Sequence, residues 1–260
     1  MQEELFKSLV EVIATLRGEN GCPWDREQTH TSLKSTLIEE TYETVEAIDS
    51  AQPDKLKEEL GDLLLNIMLQ AQIAAENRDF DIYDVIDTLT EKLIRRHPHV
   101  FGDVNVENSD DVVKNWEAIK KEEAGYEDRE SVLDGIPIAL PALLRGQKIQ
   151  KRAARVGFDW DDIQDVISKV EEELAEVKES LKRNKQAEIE MEIGDLLFAI
   201  VNLCRFVELQ AEETLRKSNR KFIQRFKRME KILEKQGKNI SEQSLATLDA
   251  IWEEVKKDES

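Results

Sequence analysis

The chain has 260 residues, enough for one large domain or two smaller ones with buried cores. It carries 56 acidic against 37 basic residues, a formal net charge of −19, which argues against broad binding to nucleic-acid phosphates. Two cysteines without metal-ligand spacing indicate neither a disulfide framework nor a zinc site. The sequence has no basic, apolar secretory signal at its start and no apolar run of the roughly 20 residues that span a membrane. We therefore expect a cytoplasmic protein that has neither nucleic acid nor a membrane among its partners.

Apolar residues recur at helical spacing along most of the chain, and abundant Glu, Lys, Leu and Ala favour helix over sheet. Between the first two helices, Pro23 and its neighbours predict a turn, and we expect Trp24 to fold back into the core. The short connection after residue 49 makes the second and third helices antiparallel neighbours. In the first half the predicted helices cover residues 3–16, 32–49, 54–77, 81–96 and 110–123.

The periodicity lapses between residues 125 and 141, where two glycines and two prolines interrupt it. We place a connection at 125–141, between a first domain at 1–124 and a second at 142–260. Trp24 and Trp116 have counterparts in Trp160 and Trp252 at a common offset of 136 residues. The sequence therefore predicts an all-α fold of two tandem repeats, each a helix-bundle module. The helices predicted in the second repeat cover residues 143–155, 162–181, 187–210, 212–235 and 246–257.

The strongest feature of the sequence is a set of five acidic positions that occurs twice, with a constant offset of 133 residues. Residues three and four apart share one face of a helix, so two neighbouring helices would bring four or five carboxylates together, with no lysine among them. Such crowding calls for a cation, and ligation by oxygen alone selects Mg²⁺ or Mn²⁺ over zinc. The two sets are Glu39, Glu40, Glu43, Glu59 and Asp62, and Glu172, Glu173, Glu176, Glu192 and Asp195.

Two other interpretations of the acidic sets are weighed against this one. In so acidic a chain, single pairs of carboxylates arise often as solvated helix faces, but the duplicated arrangement disfavours that interpretation. A di-iron bundle also uses carboxylates from several helices, but it needs Glu-x-x-His on two of them, and this chain has that spacing once, from Glu27 to His30, outside both acidic sets. A glycine precedes the Asp of each set, Gly61 and Gly194, and we interpret this costly helical glycine as a sign of close packing.

Each acidic pair of helices is followed by a cluster of basic residues that could contact the phosphates of a metal-bound substrate. The alternative is that these cations complement the negative end of a helix, which accounts well for Arg95 and Arg96. It accounts less well for Lys221 and Arg225, which lie inside their predicted helix. The two clusters are Lys92, Arg95 and Arg96, and Lys221, Arg225 and Arg228.

The combined motifs resemble the MazG nucleoside triphosphate pyrophosphohydrolases. Glu-Glu-x-x-Glu and Glu-x-x-Asp are preceded by Gly-Cys-Pro-Trp-Asp at 21–25 and followed by Arg-Arg-His-Pro-His-Val-Phe at 95–101, and Lys-Phe-x-x-Arg-Phe occurs at 221–226. The resemblance covers essentially the whole chain. It implies an all-α fold of the dimeric dUTPase and phosphoribosyl-ATP pyrophosphohydrolase superfamily, a homodimer, and Mg²⁺-dependent cleavage of nucleoside triphosphates to monophosphates and pyrophosphate. Broad base preference and a role in clearing aberrant nucleotides and modulating the stringent nucleotide response are also implied.

The resemblance also assigns roles to individual residues of this chain. The implied metal ligands are the last four acidic residues of each set, and Glu39 and Glu172 are implied as bases or as supports of those ligands. Lys221 and Arg225 match the family's phosphate-binding pair and Trp252 its nucleotide-contacting tryptophan, to which Trp116 corresponds in the first repeat. One position departs from symmetry: a substrate-binding lysine is implied at Lys55, where the second repeat has Glu188. Which repeat is active therefore stays open.

The mechanism that we infer is in-line attack of a metal-activated water on the α-phosphorus, with pyrophosphate leaving on Mg²⁺ and basic side chains. The competing class of function is an acidic helical adaptor without activity, in which one or both repeats serve only as a scaffold or for dimerisation. The sequence leaves the preferred base, the protein partners and the sharing of a pocket between subunits undetermined.

Overall fold

A computed structural model describes residues 2–108, 111–112, 115–116, 119 and 130–257. The chain divides into two compact units, residues 1–127 and 128–260. The part of the chain that is described contains helices and no strands, which confirms the predicted all-α class. None of the described helices is both long enough and apolar enough to cross a bilayer.

The part of unit 1 that the structure describes at continuous length, residues 2–108, contains four long helices and two short ones. Their observed ends lie within one or two residues of the predicted ones at 3–16, 32–49, 54–77 and 81–96. The predicted helix at 110–123 falls largely outside the described residues. The helices are α1 Gln2–Arg17, α2 Pro23–Glu27, α3 Leu33–Ser50, α4 Pro53–Asn77, α5 Ile82–Arg96 and α6 Pro98–Phe101.

Unit 2 repeats the pair of long acidic helices, and its described residues form three further helices and a 3₁₀ turn. Its third helix ends four residues before the predicted position, because Glu208 adopts a left-handed backbone with φ 59° and the Leu209 N–H bonds back to the Cys204 carbonyl. The helices are α7 Ala142–Ala154, α8 Ile163–Arg183, α9 Gln186–Phe206, α10 Ala211–Lys235 and α11 Leu245–Lys257, with a 3₁₀ turn at Ile240–Glu242.

The connection between the two acidic helices is equally short in both units. In unit 1, α3 ends at Ala51 in a left-handed conformation (φ 52°) and Pro53 begins α4. In unit 2, Asn184 occupies the left-handed position (φ 53°) before α9 begins at Gln186. A left-handed residue stops one helix and a two-residue link starts the next, so the two helices pack against each other as predicted.

The core of unit 1 forms where α1, α4 and α5 meet. Arg17 at the end of α1 reinforces it: its side chain, 5% exposed, bonds Glu76 of α4 at 2.8 and 2.7 Å and donates to the carbonyls of Asp25 and Gln28. The buried apolar residues of this core are Ile13, Leu33, Met68, Leu69, Ala71, Ile73 and Ile82.

The core of unit 2 is centred on α10 and α11, through Met229, Leu233, Ile251 and Val255. The helix α7 packs against α9, and a Cβ added to Gly146 would lie in ordinary van der Waals contact with the ring of Phe198, at 3.5 Å. Two buried glutamines of α7, Gln147 and Gln150, donate to the carbonyls of Leu209 and Phe198 at 2.6 and 2.8 Å and fix α7 on its neighbours.

The prediction that Trp24 is a core residue is wrong. Its side chain is 60% exposed, and its counterpart Trp160 is 45% exposed. Pro23 occupies the first position of a short helix, α2, where its fixed φ and missing N–H are tolerated, instead of making a plain turn. Trp24 is consequently held on the outer side of α2.

Candidate metal centres

The first acidic cluster joins α3 to α4. Glu40 and Glu43 from α3 and Glu59 from α4 each offer a carboxylate oxygen, and these three atoms lie within 4.8 Å of one another. Glu59 is 8% exposed, and the Thr44 hydroxyl donates to its backbone carbonyl at 3.4 Å, which ties the two helices together beside the cluster. Three oxygens at such distances can surround one cation.

Burial and neighbouring negative charges raise the pKa of two carboxyls in this cluster. Burial, together with the charges of Asp62 and Glu43, raises the pKa of Glu40. Burial and the charge of Glu43 also raise the pKa of Glu59, while the nearby Lys55 acts in the opposite direction. A bound divalent cation would remove this repulsion, so the cluster favours a cation energetically.

The second acidic cluster joins α8 to α9 in the same way. Glu173 from α8 and Glu192 and Asp195 from α9 each offer an oxygen within 4.8 Å of the others. Glu173 is 6% exposed, and its Oε2 is buried with no hydrogen-bond partner among the described residues. A buried carboxylate oxygen without a partner is costly, and a metal ion is one of the few groups that would satisfy it.

A lysine occupies the second cluster, contrary to the prediction that none lies among the carboxylates. Lys169 Nζ lies 2.7 Å from Glu173 Oε1 and 2.9 Å from Glu172 Oε1. The hydrogen bonds to Glu173 and Glu172 hold the pKa of Lys169 above its ordinary value. The sequence carried the signal, because Lys169 precedes Glu173 by four residues and so shares its helix face.

The two clusters use overlapping but different members of the repeated acidic sets. Asp62 acts electrostatically on Glu40 but does not belong to the first group of three, and Glu176 does not belong to the second. Burial and the charges of Glu173 and Glu192 raise the pKa of Glu176. Glu39 belongs to neither group, and Glu172 is paired with Lys169.

The prediction of close packing at the two helical glycines is wrong within the described chain. A Cβ added to Gly61 or to Gly194 would meet no atom within 4 Å. Within the described residues, therefore, no neighbouring atom lies close enough to require a glycine at either position.

The basic residues lie on α5 and α10, the helices that follow α4 and α9 and pack against them. Arg96, in the last turn of α5, places its guanidinium 5.1 Å from the ring centre of Trp116, and Arg225 of α10 lies 6.0 Å from that of Trp252. The order Lys-x-x-x-Arg precedes each tryptophan, as Lys92 to Arg96 and Lys221 to Arg225. Both units thus place an arginine over a tryptophan, an arrangement suited to holding an aromatic ring and an anion together.

Unit 2 has further aromatic and charged contacts at these positions. In unit 2, the Phe222 ring lies 5.1 Å from that of Trp252. Glu188, the counterpart of Lys55, is bound to Lys185 at 2.7 Å and to Arg183 at 3.9 Å, and the hydrogen bond from Lys185 lowers the pKa of Glu188. In unit 2 the charge at this position is therefore negative and paired with the chain's own cations.

The fold and the clusters together define a class: an all-α protein of two helical units, each with an oxygen-only carboxylate cluster suited to a hard divalent cation. The family model of the MazG nucleotide pyrophosphohydrolase domain matches residues 28–101 and 162–229, which contain both clusters. The chain belongs to the MazG family.

Two relatives agree with this assignment. The nucleoside triphosphate pyrophosphohydrolase/pyrophosphatase MazG of Thermotoga maritima is 50% identical over 252 residues, which are 97% of this chain and 96% of the relative. The nucleoside triphosphate pyrophosphohydrolase of Escherichia coli K12 is 46% identical over 96% of this chain and 97% of its own. A crystal structure of a MazG-related protein from Thermotoga maritima shares 29% identity, with a TM-score of 0.39, over 44% of this chain and 98% of that one.

Proposed function

We propose that the chain hydrolyses nucleoside triphosphates to nucleoside monophosphates and pyrophosphate in a reaction that depends on Mg²⁺, for which Mn²⁺ can substitute. Family membership and the names of its relatives make it a hydrolase of phosphoric anhydride bonds. The observation that supports the proposal is the duplicated cluster of carboxylate oxygens, each of which includes a buried glutamate, Glu59 or Glu173.

The residues present fit a hard divalent cation. The donors in both clusters are carboxylate oxygens, the three oxygens of each are close enough to share one ion, and the buried Oε2 of Glu173 has no other partner in the described structure. The proposed ligands are Glu40, Glu43, Glu59 and Asp62 in unit 1 and Glu173, Glu176, Glu192 and Asp195 in unit 2. Mg²⁺ held there supplies charge neutralisation on triphosphate oxygens and lowers the pKa of a bound water.

The chain's own residues would position the rest of the substrate. Glu39 and Glu172, one residue before the first ligand of each unit, are the proposed bases or supports of the ligands. Residues on the neighbouring helices would take up the charge of the leaving pyrophosphate and stack on the base, since each unit places an arginine over a tryptophan. These proposed substrate contacts are Lys55, Lys92, Arg95, Arg96 and Trp116 in unit 1 and Lys221, Arg225 and Trp252 in unit 2.

A stacked aromatic platform accepts any base, so we propose broad base specificity and a role in removing aberrant nucleotides from the cytoplasmic pool. The connection between the two functional domains is proposed to lie at residues 125–141, of which residues 125–129 are outside the described structure.

We also propose a homodimer. It is supported by apolar side chains that the single chain leaves exposed on the second acidic helix of each repeat, α4 and α9. Large patches of this kind mark surfaces that bind another protein. On α4 they are Leu60, Leu64, Leu65 and Ile67, and on α9 they are Met191, Ile193, Leu197, Phe198 and Ile200.

The experiment that tests the proposed function is a product analysis. Incubation of the protein with each canonical nucleoside triphosphate and Mg²⁺, followed by ion-exchange separation, is expected to give monophosphate and pyrophosphate. Diphosphate and orthophosphate would contradict the assignment. Turnover that is unchanged by a chelator would contradict the metal requirement, and an absence of products would favour a scaffold protein.

A further inference from the structure

The two clusters differ in a contact that the repeated acidic residues do not reveal. Lys169 of α8 is ion-paired with the second cluster through Glu173 and with its neighbour Glu172. The position one repeat earlier is Thr36, whose side chain carries no charge. Within the described residues no ion pair reaches Glu40, Glu43 or Glu59, so the first cluster has no internal cation in contact with its carboxylates.

The contact geometry shows what Lys169 does to the second cluster. Its ammonium binds one oxygen of Glu173, at 2.7 Å, while the other oxygen of the same carboxylate stays buried and without a partner in the described structure. The lysine therefore neutralises part of the cluster's charge without completing the coordination of Glu173. The cluster therefore retains one oxygen, Glu173 Oε2, that can bind an ion. The positive charge of Lys169 nevertheless weakens the electrostatic attraction between the cluster and that ion.

Lysine is well suited to this arrangement. Its side chain is 38% exposed, so the ammonium can leave Glu173 for solvent when an ion enters. The two positive charges cannot both lie against Glu173 without strong mutual repulsion, so binding of a divalent ion and the contact between Lys169 and Glu173 oppose each other.

The first cluster has a cation at a different place. Lys55, at the start of α4, lowers the pKa of Glu59 through its charge but forms no ion pair in the part of the chain that is described. Its effect on a bound ion is correspondingly smaller, because Coulomb energy falls with distance and solvent screens the interaction.

We propose that Lys169 is a resident counter-ion of the second cluster that must be displaced when a metal ion binds there, so that, without nucleotide, unit 1 binds the ion more tightly than unit 2. This rests on the proposed metal-dependent function and deepens it, since it gives the two repeats different metal affinities. The site in unit 1 binds metal at a low ion concentration, and the site in unit 2 binds it only at a higher concentration.

The test measures Mn²⁺ binding to the full chain, without nucleotide, by the electron paramagnetic resonance signal of free Mn²⁺. In a Glu59→Gln background, which leaves the second cluster intact, Lys169→Thr and Lys169→Met are compared with the parent. Removal of the ammonium is expected to lower the Mn²⁺ dissociation constant by about tenfold. The matched control Lys169→Arg keeps the charge and is expected to stay within about twofold of the parent.

The reciprocal change is made in a Glu192→Gln background, which leaves the first cluster intact. Thr36→Lys is expected to raise the Mn²⁺ dissociation constant of that cluster by about tenfold, with Thr36→Gln as the uncharged control of similar length. Circular dichroism establishes that each variant is folded. The two uncharged substitutions at Lys169 guard against a single unstable variant.

The outcomes separate this inference from the proposed function. If Glu192→Gln abolishes Mn²⁺ binding by unit 2 but neither Lys169→Thr nor Lys169→Met changes its affinity, Lys169 is not a displaced counter-ion, while the metal site stands. If Lys169→Arg changes the affinity as much as Lys169→Thr, the effect is structural and the inference fails. If neither Glu59→Gln nor Glu192→Gln alters Mn²⁺ binding, the proposed metal sites fail, and this inference fails with them.

Discussion

The two units build similar acidic clusters with different counter-charges. In unit 1 the group of three takes two carboxylates from the first helix and one from the second, and in unit 2 it takes one from the first and two from the second. The lysine near the carboxylates lies on a different helix in each unit. Lys55 lies at the start of the second acidic helix in unit 1, whereas Lys169 lies on the first acidic helix in unit 2.

This comparison shows which part of a duplicated site the repeat conserves. The carboxylates return at a constant offset because the spacing of three and four residues keeps them on the packed face of each helix. The positions of the lysines around them do not depend on this helix packing, and they differ between the units. A duplicated ligand set therefore does not make two equal sites, and each unit has to be measured separately.

The largest effect that distinguishes the units is expected from a glutamate that both acidic sets contain. Glu59 and Glu192 occupy equivalent positions, and each belongs to the group of three in its unit. We expect Glu59→Gln with Glu192→Gln to lower kcat/KM for nucleoside triphosphates by about a hundredfold or more, because each change removes a charged oxygen that we propose as a metal ligand.

The single variants of this pair identify the working unit in a steady-state assay of pyrophosphate release. Loss of activity in only one of them leaves the other unit as a scaffold. Normal hydrolysis by the double variant, with circular dichroism showing it to be folded, would mean that both proposed sites are wrong and that the chain works elsewhere or as an adaptor.

The next largest effect is expected for a largely buried arginine that each unit contains and that pairs with a carboxylate of the same unit. Arg17 binds Glu76 and two backbone carbonyls, whereas Arg205, 11% exposed, pairs with Asp159 and donates to Asn202 at 2.8 Å. We expect Arg17→Ala to lower the free energy of unfolding of unit 1 by about 2–3 kcal/mol, because it leaves two carbonyls and part of a carboxylate unsatisfied.

Arg205→Ala is expected to cost less, about 1–2 kcal/mol, since it frees no backbone carbonyl. Urea unfolding followed by circular dichroism measures both, with Arg26→Ala as a control on an exposed arginine that bonds one carbonyl. Equal losses for Arg17 and Arg205 would show that the carbonyl contacts of Arg17 contribute nothing.

A smaller difference is expected in the pH dependence of stability. Burial and neighbouring carboxylates raise the pKa of Glu40 and Glu59 in unit 1 and of Glu176 in unit 2. A carboxyl whose pKa is higher in the folded than in the unfolded chain binds more protons when folded, so stability rises as the pH falls from neutral toward the ordinary carboxyl pKa.

Thermal unfolding of the metal-free protein across this pH range measures the effect. Glu40→Gln combined with Glu59→Gln is expected to flatten the dependence more than Glu176→Gln does. An unchanged slope in the double variant would show that folding does not raise the pKa of these two carboxyls. Added Mg²⁺ is expected to reduce the slope of the parent, because the ion replaces the protons.

The smallest effect is expected at the two helical glycines. Because a Cβ at Gly61 or Gly194 would enter open space, Gly61→Ala and Gly194→Ala are each expected to stabilise the chain by about 0.5–1 kcal/mol. Measurement of the urea midpoint checks this for each unit. A loss of stability at either glycine would indicate that a second chain packs against it in solution, and that loss would then depend on protein concentration.

Much of the architecture follows from the sequence alone. The helix α5 ends at Arg96 because Pro98 follows His97, and α4 ends at Asn77, as their apolar periodicity predicts. The acidic sets are visible for the same reason, since a helix of regular period converts spacing along the chain into position on a face. The roles of the individual ligands stay predictions that the experiments above address.

The sequence by itself determined the all-α class, the duplication and the carboxylates of both clusters, because these depend on local periodicity and on residues repeated at a fixed offset. Only the tertiary structure decided that Trp24 is exposed, that Gly61 and Gly194 face open space, and that Lys169 is bound to Glu173 within the second cluster. Exposure and ion pairing depend on which helix lies opposite and on the rotamer of each side chain, and neither is encoded in the spacing of residues along one helix.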